Sequence, residues 1–469
     1  MIRNRIVTSL LFAALAIVSV ESPGAPQPAN DVQFVAWARA NLHEVSLTGK
    51  GDWTDLEPLL AMLGPASIVS LGEGLHGSAE PLEFRNRLFQ FLVERAGFTA
   101  ITLESGLSES YAINEYVRGG SGNAEELTLQ GITNGLAPFP QQAQLVRWMH
   151  EYNLDARHAR KIELYGMDLS GFPGQPSSPF DFALGYLDRV DPLPSKQLRE
   201  RIAPMLPFLK LDRFSDSGSQ YPQLPQGKRD AVTAVIADMI RLFETKEGAY
   251  IRQTGERQYE LAHQAALAAR QVDDYLRQVP VGWTPRQGMQ SIMGTVAVSD
   301  RAKLDNIEWL KARQGSDGKV LVFTHLGHAA PTTVSVQLGP GPATPLPPLV
   351  GTYLKRRYGE RLVTIGHFFA QDDTRCGEHR DPAPANSLEG LFASLGKPAF
   401  VLDLRAAPAE IVERFNKIHG LYGQLPVHSL RIDEGVDIVL FTQRATPANA
   451  CPKSGQQLSS ESNASPRKQ

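Results

Sequence analysis

The sequence predicts an α/β fold: a mostly parallel central sheet flanked by helices, with an inserted helical lobe. Seven short apolar runs recur along the chain, separated by stretches of helical periodicity. Near-continuous hydrophobic strands of this kind belong to parallel sheets buried on both faces. One long internal stretch carries helical spacing alone. A chain of 469 residues, 42% hydrophobic, can bury one large core or two smaller ones.

The runs are Ser67 to Leu71, Ala100 to Leu103, Ile162 to Tyr165, Val320 to Phe323, Leu362 to Ile365, Phe400 to Leu402 and Ile438 to Phe441. Between the third and fourth the period changes. Val232, Val235, Ile236, Met239, Ile240 and Phe243 repeat at helical spacing, as do Tyr259, Ala262, Ala266, Ala269, Val272 and Leu276. Residues 227–312 are therefore expected to form three long helices. This lobe divides an α/β domain into a first part, 35–226, and a second, 313–450. Pro and Gly in 170–226 mark the irregular entry to the lobe.

The termini read differently. Arg3 and Arg5 precede an uncharged apolar run from Ile6 to Val20, followed by Glu21-Ser22-Pro23-Gly24-Ala25. Residues 1–25 thus have the layout of a secretory signal peptide. The run falls short of the roughly 20 apolar residues that span a bilayer, although an uncleaved anchor is the alternative. An exported, periplasmic protein is expected, with no stable membrane anchor once the signal is removed. Residues 26–34 read as a tether and 451–469 as a disordered tail. Two cysteines, Cys376 and Cys451, are expected to form one structural disulfide in an oxidising compartment, with free thiols as the alternative. Lys and Arg number 47 against 50 Asp and Glu, so no basic excess points to nucleic acid. A small molecule is the expected partner.

In open parallel sheets ligands bind beyond the carboxyl ends of the strands. The first run leads into Gly72-Glu73-Gly74-Leu75-His76-Gly77; the next three end near Glu104, Asp168, and His325 with His328. Four strands thus deliver titratable groups to one sheet edge. The helix expected over 81–96 carries Arg85 on its inward stripe with Leu88, Phe89, Leu92 and Ala96. A buried guanidinium without a partner is costly, so carboxylate or substrate partners are expected, with Glu73, Glu80 and Glu104 as the candidates. His76, flanked by carboxylates and glycines, is suited to take a proton from water or an alcohol, with a carboxylate holding its tautomer. His325 and His328 are expected to polarise a carbonyl and stabilise its oxyanion. Glu73, His76, Glu104, His325 and His328 also offer nitrogen and oxygen ligands of the kind zinc or manganese accepts. No H-E-x-x-H occurs, however, and Arg85 would compete with a cation, so the leading expectation is a site with no metal or other cofactor. No G-x-S-x-G elbow follows a strand. Attack by activated water is therefore expected rather than a serine nucleophile.

The same positions resemble a known family. Gly72-Glu73-x-x-His76 with Glu80, Arg85, Gly97-Phe98 and Glu104 is similar to the leading signature of the erythromycin esterases. Further stretches continue the resemblance: Asn114-x-x-Val117-x-Gly119, Tyr165-Gly166-Met167-Asp168, Asp300 through Asn306 to Trp309, His325-x-Gly327-His328, Gly351 to Gly366, and Leu402-Asp403-Leu404-Arg405. It spans about residues 66 to 448. It implies an α/β fold with a helical lobe, hydrolysis of a macrolactone ester by histidine-activated water, and a role in macrolide resistance. His76 would be the general base, positioned by Glu73 and Glu104, with Arg85 stabilising charge and His325 and His328 acting on the ester. Glu80, Asp168 and Asp300 would bind substrate or support the cluster. Two departures bear on substrate contacts: Ser299-Asp300 stands where the family pairs Arg with Asp, and Thr324-His325-Leu326 replaces the more usual His-Asn pair. A metal-dependent hydrolase on the same cluster is one alternative. Another is a non-enzymatic haem- or ligand-binding protein, since a related fold group includes one.

Overall fold

The computed structural model describes residues 29–49, 51–170, 177–209, 220–280, 293–337, 343–376, 378, 380–417, 421–423 and 427–451. Eleven strands occur among them: β1 (His43–Glu44), β2 (Ile68–Glu73), β3 (Phe98–Gly106), β4 (Glu163–Asp168), β5 (Lys319–His325), β6 (Ser335–Val336), β7 (Thr344–Pro345), β8 (Leu362–Phe369), β9 (Ala399–Asp403), β10 (Val427–Ser429) and β11 (Ile438–Thr442). Each of the seven expected runs lies in a strand of one sheet, ordered β1-β9-β11-β8-β2-β5-β3-β4. From β11 to β4 every neighbouring pair is parallel. β9 runs antiparallel to β11, and β1 antiparallel to β9. β10, β6 and β7 form a small separate sheet.

β2, β3, β4 and β8 are buried along their whole length, because both sheet faces are covered. On one face lie the long helices Gln226–Thr254, Glu256–Gln278 and Met293–Arg313. Their apolar stripes share a core with Ala100, Tyr165, Val320 and Leu362 of the strands. On the other face, side chains of helices Ala79–Ala96 and Pro140–Leu154 pack with Val69, Leu71, Ile101, Leu103 and Leu164. Helix Ala79–Ala96 starts two residues before the expected Pro81, with Ser78 as its N-cap residue. Pro81 therefore falls in the first turn, where backbone N–H groups have no helical acceptor in any case. Gly97 closes the helix at φ +73°, a left-handed position that glycine takes without strain.

The expected tether of 26–34 is corrected from residue 29 onward. Helix Ala29–Asn41 begins there, and Phe34 is fully buried against Phe392 and Phe415. The polar, Pro-rich composition before it conceals this anchor. The expected signal peptide and residues 452–469 of the expected tail lie outside the described residues. No helix among the described residues is long and apolar enough to cross a membrane.

Cys376 and Cys451 form a disulfide, with Cα atoms 5.5 Å apart. It ties the segment after β8 to the chain beyond β11. That terminal segment lies along the loop after β2: Ala448 N–H donates to the Gly77 carbonyl and Ala79 N–H to the Thr446 carbonyl, both at 2.8 Å. Glu80 closes the contact by accepting from the Thr446 hydroxyl at 2.6 Å and its N–H at 2.8 Å.

Candidate active site

Strand register places the site. Glu73 pairs with His325 across β2 and β5, and Leu103 with Phe323 across β3 and β5. An irregularity in the β3–β4 pairing sets Asp168 opposite Gly106. Strands lie about 4.8 Å apart, so Asp168, Glu104, His325 and Glu73 form a row across four adjacent strand ends. Gly72 allows the close approach: a Cβ there would stand 2.8 Å from the Leu326 backbone. Helix Met293–Arg313 lies against this edge, anchored where Asn306 Nδ2 donates to the Met167 carbonyl at 2.9 Å. Its Ser299, Asp300 and Lys303 fall on one face at helical spacing.

His76 and Glu73 make the central contact, His76 Nδ1 lying 2.5 Å from Glu73 Oε1. The Glu73 side chain is 1% exposed and the imidazole 47%. Burial works against a charged imidazole, but the Glu73 carboxylate and, beyond it, Glu104 raise the His76 pKa to about 9. The ring is thus a strengthened base facing solvent.

Glu104 accepts from the Thr324 hydroxyl at 2.6 Å and from the His325 N–H at 2.9 Å. Burial pushes its carboxyl up, yet His328, His76 and Lys303 hold it well below the usual carboxylate range. His328 presents Nδ1 to Asp300 at 2.8 Å and Nε2 towards Glu104 at 3.7 Å. Burial lowers its pKa, but the charge and hydrogen bond of Asp300, with Glu104 adding to them, leave the group raised. Asp300, itself held ionised, also accepts from the Val350 N–H at 2.9 Å.

The structure separates the two histidines after β5. His325 stacks at a tilt 5.0 Å from the His76 ring, but its Nδ1 accepts from the Gly327 N–H at 3.1 Å and the ring also bonds the Gly74 backbone. Burial, followed by the neighbouring His76 charge, lowers it to about 3. A neutral ring committed to backbone cannot polarise an ester; it braces the His76 loop. His328, by contrast, is held by side chains, Asp300 at Nδ1 and Glu104 beyond Nε2.

Two further expectations are corrected. Arg85 is fully buried, and among the described residues no carboxylate lies within ion-pair distance of it. Its guanidinium donates to Asn86 Oδ1 at 2.7 and 3.0 Å and to Gln142 Oε1 at 2.9 Å, over the Phe323 ring. Burial lowers it to about 9, and the charge of Glu73 partly opposes that fall. Arg85 therefore lies inside the core, close enough to Glu73 to feel its charge. Glu80 holds the terminal segment at Thr446 rather than facing substrate; burial raises its carboxyl.

Sequence reasoning did not single out Lys303, His367 or Asn134. Lys303 is buried with its Nζ 3.2 Å from Asp168 Oδ1 and 2.9 Å from Ser299 Oγ. The available signal is a polar series at helical spacing, Ser299, Asp300, Lys303 and Asn306, on a helix that also carries buried Ala302, Leu304, Ile307 and Leu310. His367, on β8, accepts the Gly74 N–H at Nδ1 and meets Thr442 Oγ1 at 2.9 Å; burial alone lowers it to about 3. Asn134, at φ +60°, donates to the Glu104 carbonyl at 3.1 Å and to Asp168 at 3.3 Å. Among the described residues no three His, Cys, Asp or Glu side chains are placed to hold a metal ion. Glu104 and His325, two of the expected ligands, are already committed to Thr324 and to backbone.

Fold and site together define a class: an α/β protein with a histidine–carboxylate cluster at the carboxyl edge of its parallel strands and a helical lobe beside it. The sequence profile of the erythromycin esterases matches residues 93–440, and the chain belongs to that family. The match begins downstream of Glu73, His76 and Arg85. Erythromycin esterase type II of Escherichia coli is 25% identical over 340 residues, 71% of this chain and 77% of that protein. Erythromycin esterase type I of the same organism is 32% identical over 120 residues, 26% of this chain and 28% of that protein. In fold, a Bacillus cereus protein of solved structure superposes with a TM-score of 0.72 at 22% identity, covering 90% of this chain and 99% of its own. A mutant erythromycin esterase in its open conformation does so at 0.62 and 17%, covering 87% and 98%.

Proposed function

We propose that this chain is a carboxylic ester hydrolase that opens a macrolactone, or a similarly bulky ester, with water activated by His76. The 2.5 Å contact between buried Glu73 and the half-exposed His76 ring carries this reading. Nδ1–H donates a hydrogen bond to Glu73, so the neutral ring keeps its Nε2 lone pair free on the solvent side. Nε2 takes a proton from water as the oxygen attacks the ester carbon. His328, held by Asp300, meets the developing oxyanion with its Nε2–H. Collapse breaks the carbon–oxygen bond, and the proton on His76 passes to the leaving alkoxide. The products are a carboxylic acid and an alcohol, still joined in one chain if the ester was cyclic. Export to the periplasm by residues 1–25 would place this activity where an incoming macrolide is met first, consistent with a role in resistance.

The test is mass spectrometry of 14-, 15- and 16-membered macrolides after incubation with purified protein. Gain of one water on the lactone, undiminished by a chelator, is the expected result. No mass change on any ester offered would reject the activity, and loss of turnover on chelation would replace it with metal-dependent hydrolysis.

A further inference from the structure

Lys303 carries an ammonium group where the fold exposes only 2% of the residue. The groups that face it come from every element around the site. β4 supplies Asp168, 3.2 Å from Nζ, and β3 supplies Glu104. Its own helix supplies Asp300 and the Ser299 hydroxyl. His328 stands beyond Asp300 in the segment after β5, and Tyr275 approaches from helix Glu256–Gln278. His76 and Glu73 of the β2 loop, backed by Arg85, lie on the far side of Glu104. One carboxylate would suffice to neutralise one ammonium. Three surround this one, and the two carboxylates that do not touch Nζ, Asp300 and Glu104, are those that face His328.

We propose that Lys303 is a positioning residue for the ester hydrolysis: its ammonium holds Asp168, Asp300 and Glu104 as a fixed anionic frame and so limits the charge that His328 and His76 carry. The proposal rests on the hydrolytic reading above. Without the ammonium, the frame has a larger negative excess: His328, which Lys303 acts on directly, binds its proton more tightly, and His76 follows through Glu104 alone. His76 then spends less time as a free base at neutral pH. The burial of Lys303 among three carboxylates, two of which also face His328, is what separates this role from that of an ordinary ion pair.

The experiment uses the full chain with labelled histidines, titrated by NMR, beside pH–rate profiles on an ester substrate. His76→Asn and His328→Asn assign the two resonances. In Lys303→Met the imidazole midpoints rise, His328 by about one to two units. The rate at neutral pH falls about tenfold at unchanged KM and recovers as pH is raised. Lys303→Arg restores the original profile. Asp168→Asn, which leaves the ammonium less neutralised, moves the midpoints down; this opposite sign keeps the proposal open to refutation if the Met variant fails to fold. Midpoints unmoved in both variants, or moved the same way in both, would overturn it. Midpoints that move as stated in a protein that hydrolyses no ester would uphold the electrostatic frame and reject the esterase reading.

Discussion

Nδ1 of His76 lies 2.5 Å from Oε1 of Glu73, which closes the strand next to the one carrying His325. Because Glu73 is buried and its partner half exposed, the acid fixes the ring without competing for the cleft. This dyad dictates the first two predictions.

His76→Asn should lower ester hydrolysis by at least about a hundredfold, the scale of general base catalysis, while circular dichroism keeps the signature of the parent fold. Turnover close to the parent rate would remove His76 as the base.

Activity should climb with pH, about tenfold per unit, and level off near pH 9, where the neutral imidazole becomes the major form. Glu73→Gln should move the plateau towards neutrality and lower it, since the weaker base gains population but loses strength. The linkage to stability has the opposite sense. A histidine raised in the fold stabilises it fully below its ordinary value of 6.5, and that contribution disappears as pH rises through about 9. Melting curves of parent and His76→Asn compared from pH 6 to about pH 10 check the direction.

The two histidines after β5 should separate by phenotype. His328→Asn should reduce kcat by about a hundredfold with little change in KM, as expected for a group that meets the oxyanion. His325→Asn should chiefly destabilise, by about 1–3 kcal/mol, through the backbone groups of Gly327 and Gly74 left without their partner. Equal effects on kcat and equal melting temperatures would contradict this division.

Arg85→Leu should destabilise by about 1–3 kcal/mol for each of the Asn86 and Gln142 side-chain oxygens left unpaired. Urea unfolding measures it. A variant as stable as the parent would show that these amides find other donors.

The strands were legible because each is an uninterrupted apolar run, and their order along one edge followed from the rule that parallel strands expose their carboxyl ends together. Glu73, Glu104, Asp168, His325 and His328 were found in this way. Partners were not legible. Arg85 was placed correctly on an inward stripe, but the amides that receive it come from Asn86 and from the distant Gln142, and no local pattern announces them. Glu80 sits next to the loop in sequence yet turns to Thr446, 366 residues away. His325 and His328 look alike in the chain; only the backbone around Gly74 and Gly327 distinguishes a brace from a donor. Lys303 is not legible because a polar series on one helix face, Ser299, Asp300, Lys303 and Asn306, reads in sequence as a solvated face, whereas here Asp300, Lys303 and Asn306 are buried against the strand ends.

The disulfide between Cys376 and Cys451 has a practical consequence. The chain it secures lies against Gly77, Ala79 and Glu80, only a few positions from the His76 ring. Protein matured where thiols stay reduced should therefore lose the proposed ester hydrolysis as well as heat resistance. An assay comparing protein folded in a reducing cytosol with protein folded under oxidation reads this directly, and equal specific activities would show that the loop keeps its shape unaided.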